Sequence, residues 1–276
     1  VMLGNWLLQN GKKKEALRKY RDVLKEDPNN SLAKLSMMDY YNNIGDKATA
    51  KTILQELLQS PKTEKETKLE LLRQIITSSQ KDNNPDSTEV MRQFSVALAG
   101  PQEDADIYML KAAYMTLRKW PKAEINRVYE QAIEVEPDNS RARVALIQNI
   151  WETEDYDKVI AICRPAIEYN PDEMAFYYFQ GMAQFQKHDS DAALETFRKG
   201  VGQIKPDSNP DIVSDFYAIM GDILHEKGRN DEAFQAYDSC LQWKADNVAA
   251  LNNYAYYLSE ENKNLTKAEQ MSYKTC

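Results

Sequence analysis

With 276 residues the chain is long enough for one large domain or two ordinary ones, and its 9 Gly and 10 Pro leave long stretches of Ala, Leu, Lys, Glu and Gln between them, which favours helix over strand-and-turn architecture. A formal charge of −8 with acidic and basic residues interspersed provides no basic stripe to neutralise phosphates, so nucleic acid is not the expected partner. No window approaches the roughly 20 apolar residues that cross a bilayer, and Cys163, Cys240 and Cys276 are too few and too far apart for a disulfide framework or a zinc site.

The first predicted helix pair, over 1–30, sets a pattern. Gly4 is followed twelve residues later by Ala16, four later by Tyr20 and eight later by Pro28. Asn10-Gly11-Lys12 supplies the turn within the pair, and Pro28-Asn29-Asn30-Ser31 stops its second helix and offers a cap to the next. A second pair over 31–62 closes at Pro61. The third, over 63–103, exceeds the period, carries the polar insertion Gln80-Lys81-Asp82-Asn83-Asn84-Pro85-Asp86-Ser87 and has no small-residue pair at the expected spacing. An irregular helix pair, with a bend, is expected there.

Pairs four and five, over 104–139 and 140–172, close at Pro137 and Pro171. In the fifth, Ile147 and Val159 occupy the small-residue slots, which implies wider helix separation or a shifted contact. The pattern returns with Gly181, Ala193 and Phe197 in the sixth pair (173–208) and with Gly221, Ala233 and Tyr237 in the seventh (209–246). In the eighth (247–276) Ala255 meets Ala268 after thirteen residues, so the turn around Glu260-Glu261-Asn262-Lys263-Asn264 is expected to be one residue longer. Both ends of the sequence fall inside helical patterns, so a fragment of a longer protein is expected.

A period of about 34 residues signals stacked supersecondary units. Antiparallel helices approach closely only where side chains are small, so Gly181 is expected to face Ala193, with the aromatic residue filling the space beyond. The stretches Phe179-Gln180-Gly181-Met182-Ala183 and Ala192-Ala193-Leu194-Glu195-Thr196-Phe197 resemble the tetratricopeptide repeat, whose pattern combines W-x2-L-G-x2-Y, A-x3-F and a closing Pro. The resemblance implies an all-α, right-handed α-α superhelix, one solenoid of about eight helix pairs over 1–276 in which each repeat covers its neighbour's open face. It implies no cofactor. Leu251-Asn252-Asn253-Tyr254-Ala255-Tyr256-Tyr257-Leu258 resembles the repeats of bacterial envelope-associated proteins, which favours a periplasmic or envelope-associated setting over a cytoplasmic one.

Candidate chemistry is sparse. Of the two histidines, His188 falls in a turn, and His225 has Asp222 three residues back but no nucleophile to activate. A catalytic role is not expected. Cys163 and Cys240 lie on core-facing stripes, where free cysteine packs as a small hydrophobe. Asp82-Asn83-Asn84-Pro85-Asp86 resembles calcium loops only in composition, lacking their glycine and terminal glutamate. The sequons Asn29-Asn30-Ser31 and Asn264-Leu265-Thr266 are read as chance.

What remains is surface. In the family this chain resembles, the first helix of each repeat lines the concave face. Residue by residue that implies Asn5 and Gln9; Leu35, Asp39 and Asn42; Leu110, Tyr114 and Leu117; Val144, Gln148 and Trp151; Tyr178, Met182 and Phe185; Ala218, Asp222 and His225; and Asn252, Tyr256 and Ser259. The middle of this set is apolar and aromatic, the chemistry of interface anchors. The expected function is a non-catalytic scaffold whose groove, centred on Tyr114, Trp151, Tyr178, Met182 and Phe185 and flanked by Gln148, Asp222 and His225, takes an extended peptide or an amphipathic helix of a protein partner. Two alternatives stand beside it: packing of these side chains against the adjacent repeat, and stacking of the exposed rings on glycan. The Lys/Asn carboxylate clamp of the family is not reproduced, since Asn5 and Asn252 lack accompanying lysines.

Overall fold

A computed structural model describes residues 1–81 and 87–275, and among these the chain forms sixteen helices and no strand. It divides into two compact bodies, Val1–Glu136 and Pro137–Cys276. The N-terminal body holds α1 (Met2–Gln9), α2 (Lys13–Glu26), α3 (Ser31–Asn43), α4 (Lys47–Gln59), α5 (Lys65–Lys81), α6 (Thr88–Ala97), α7 (Asp106–Leu117) and α8 (Lys122–Val135). The C-terminal body holds α9 (Ser140–Trp151), α10 (Tyr156–Tyr169), α11 (Met174–Gln186), α12 (Ser190–Val201), α13 (Pro210–Glu226), α14 (Asn230–Trp243), α15 (Val248–Glu260) and α16 (Leu265–Thr275).

Helix starts follow the chemistry of their caps. Asn30, Asp46, Asn139, Asp155, Asp189 and Asn247 each accept, through the side chain, the backbone N–H of the residue three further on. The turns within pairs follow a second rule. Among the described residues, six of them contain one residue in the left-handed region, Gly11, Gly45 and Gly228 where glycine is present and Lys119, Glu154 and His188 where it is not, and the turn between α15 and α16 contains two, Asn262 and Asn264. The left-handed conformation costs a residue with a side chain about 1–2 kcal/mol, and the extra freedom of glycine in the unfolded chain offsets roughly 0.5–1 kcal/mol of that. His188, at φ 60°, is exposed, so His188→Gly is expected to raise stability by about 0.5–1 kcal/mol. A denaturant midpoint that stays put or falls would contradict this.

Within each pair the small residues make room for a ring. A methyl group added at Gly181 would lie 2.7 Å from the ring of Phe197, one at Gly221 would lie 2.8 Å from Tyr237, and one at Gly4 would clash with Tyr20. At each of these glycines the three atoms nearest such a methyl group belong to the aromatic residue. All three rings are fully buried. In the fifth pair Ile147 and Val159 are fully buried, and α9 packs less extensively on α10 than α11 does on α12 or α13 on α14, as bulkier side chains at the contact require. The last turn does carry an extra residue: 261–264 separate α15 from α16, whereas 227–229 separate α13 from α14.

The third pair is unequal. α5 has 17 residues and α6 has 10, and both pack on α4, burying Leu69, Leu72, Val90 and Phe94 with Leu57 and Leu58. The run 82–86, including the calcium-loop comparison, lies outside the described residues, as does Cys276. Cys163 and Cys240 are fully buried, and burial pushes the Cys163 thiol up to about 12. Among the described residues no group of three or more His, Cys, Asp or Glu is placed to hold a metal ion. No helix among them is long and apolar enough to cross a membrane.

Candidate functional site

In the C-terminal body the first helices of successive pairs are neighbours: α11 contacts both α9 and α13, and α13 contacts α15. This body holds seven of the eight residues singled out by sequence. Trp151, at the end of α9, meets Tyr156 edge-on at 5.5 Å and Phe179 at 5.9 Å. Phe179 meets Tyr178 edge-on at 5.9 Å, and Tyr178 stacks on Phe216 at 6.0 Å with the rings 9° from parallel. Tyr178, Met182 and Phe185 rest on a core that includes Phe216, Met220 and Ile223. Each of the three, and Trp151, is half-buried, and Gln148, three residues before Trp151 on α9, is exposed. Each of these four half-buried side chains packs against neighbours and keeps part of its surface in solvent.

Asp222 is committed elsewhere. It accepts hydrogen bonds from the Tyr237 hydroxyl and from Asn253 Nδ2, the latter at 2.9 Å, tying α13 to α14 and α15. Burial pushes its carboxyl up, and the two donors and nearby His225 pull it back down. His225 stacks on Tyr257 with ring centroids 3.6 Å apart. The slot after the helix glycine explains the choice of aspartate. Tyr20 donates to Asn5 Oδ1 at 2.8 Å and Tyr237 donates to Asp222, whereas Phe197, with no hydroxyl, shares its core with apolar Met182. A buried tyrosine hydroxyl needs an acceptor, and that slot provides it.

Tyr114, the eighth residue, lies in the N-terminal body. It is buried on α7, its ring 6.2 Å from Phe94 and its hydroxyl 3.0 Å from Ser87 Oγ. It faces packed protein. The N-terminal body has a groove of its own, a cavity of about 480 Å³ between α1, α3 and α5. Three concave positions read from the sequence, Asn5, Leu35 and Asp39, come together there with Glu66, Glu70 and Leu71 of α5. The α5 residues escaped sequence reasoning because the third pair lacks the small-residue slots that set the register of the others.

Paired antiparallel helices whose first members lie side by side define an α-solenoid of helix-hairpin repeats. Residues 1–30, 151–209 and 214–247 each match a tetratricopeptide repeat profile, which supports a tetratricopeptide repeat protein. Among solved structures the chain is similar to the MamA RS-1 ArsTM double mutant (TM-score 0.53, 11% identity, 64% of this chain and 94% of that one). It is also similar to MamA 41-end from Desulfovibrio magneticus RS-1 (0.52, 12%, 63% and 95%) and to YrrB, described as a TPR protein with an unusual peptide-binding site (0.51, 18%, 66% and 90%). At these identities the likeness is one of fold. No curated protein sequence matches the chain. The repeats support a protein-interaction scaffold, in a family that is generally non-catalytic.

Proposed function

We propose that the C-terminal body holds a protein partner by taking an extended peptide or an amphipathic helix across the face of α9 and α11, with Trp151, Tyr178, Met182 and Phe185 as anchors. The observation that carries this reading is that these four side chains are half-buried: each is braced by the core yet keeps solvent-facing area. Bracing lowers the entropy lost when a partner docks, and Trp, Tyr and Met are the side chains that dominate such contacts. Gln148, exposed on α9, supplies polar pairing at the rim. The binding of a peptide by YrrB, a protein of like fold, supports this use of the architecture.

A photo-crosslinking side chain at Gln148 should capture the partner, and the same group at Glu195, exposed on second helix α12, should not. Equal capture from both positions, or capture from Glu195 alone, would place the partner on another face.

A further inference from the structure

We infer that the groove between α1, α3 and α5 is a second docking site, specific for a basic amphipathic segment of a partner. Its Lys or Arg side chains would meet Asp39, Glu66 and Glu70, and its apolar side chains would rest on Leu32, Leu35 and Leu71. This rests on the scaffold reading but not on the aromatic face, which lies in the other body.

Three observations select that occupant. First, the cavity of about 480 Å³ is lined by three carboxylates and by no Lys or Arg. Three lysines of this body are engaged elsewhere: Lys34 with Glu56, Lys51 with Glu89, and Lys65 with Asp104 and Asp106. Among the described residues none of the three groove carboxylates has a cationic partner. Poor hydration in the groove pushes the Asp39 carboxyl up from its ordinary value, as expected of an acid without a counter-charge. Like charges lining one cleft reinforce each other's field and attract a ligand of opposite sign.

Second, the carboxylates share the lining with apolar side chains. Leu32 is 55% exposed, and Leu35 and Leu71 line the same cavity. An inorganic cation has no use for that surface, whereas an amphipathic segment covers it. Third, the carboxylates are spread out. No set of three acidic, histidine or cysteine side chains among the described residues is close enough to hold a metal ion. Separated negative charges beside leucines match the interleaved cations and apolar side chains of a basic amphipathic segment.

The test is a fluorescence anisotropy titration of the full chain with two synthetic peptides. One has leucines at i, i+3, i+4 and i+7 with lysines between them, and its twin has glutamates in place of the lysines. Asp39→Asn, Glu66→Gln and Glu70→Gln together should weaken the basic peptide at least about tenfold and flatten its salt dependence. A control carrying Glu15→Gln, Glu26→Gln and Glu124→Gln removes the same three charges from the net −8 at exposed positions outside the groove, and should stay within about twofold of the parent. The acidic twin should not bind. Trp151→Ala with Phe185→Ala should leave this affinity unchanged, which separates the groove from the aromatic face. The inference is overturned if both charge triples weaken binding equally, if the parent does not bind the basic peptide, if the acidic twin binds as well, or if the aromatic pair removes binding.

Discussion

Gly221→Ala is expected to destabilise the C-terminal body by about 1–3 kcal/mol, although alanine normally favours a helix interior by roughly 0.5–1 kcal/mol over glycine. The added methyl group would stand 2.8 Å from the Tyr237 ring, well inside van der Waals contact. The ring has nowhere to go. It is fully buried, it stacks on Tyr254 at 5.1 Å, and its hydroxyl is held by Asp222. The strain must therefore move α13 against α14 or break the hydrogen bond. Combining Gly221→Ala with Tyr237→Leu should cost less than the sum of the single changes, because the clash vanishes with the ring. Thermal melts of the four proteins check this. A Gly221→Ala protein as stable as its parent, or strict additivity in the pair, would contradict the steric role assigned to the glycine.

The same glycine shows why so much of the fold was legible. Each repeat slot encodes one local steric demand, so Gly4, Gly181 and Gly221 with Tyr20, Phe197 and Tyr237 mark helix pairs without any knowledge of long-range contacts. The Asn and Asp caps and the glycines of the turns work in the same way. Spacing could not tell how closely the ring approaches the glycine, because ring and alanine recur in the same register. It could not place α5 either: without a small pair, nothing in 63–103 fixes which side of that helix faces inward, and so Glu66 and Glu70 went unnoticed. Periodicity also does not resolve partial burial. Tyr114 and Tyr178 both fall on first helices at concave positions, yet the first closes on Phe94 and Ser87 and the second keeps a solvent-facing edge. Asp222, likewise, could be read as a groove carboxylate until Tyr237 and Asn253 were seen to occupy it.

The aromatic face carries the second large effect. Trp151 and Phe185 are half-buried, so truncating both removes packing against Tyr156, Phe179 and the core around Phe216 and should lower the melting temperature by a few degrees without unfolding the body. Binding should suffer far more, since central aromatic anchors contribute about 2 kcal/mol or more each when a partner covers them. The decisive measurement is the affinity of Trp151→Ala, Phe185→Ala protein for the partner captured through Gln148, taken at a temperature where circular dichroism shows full helicity. A rise in Kd of at least about a hundredfold is the expected result. An unchanged Kd in the folded variant would contradict the account.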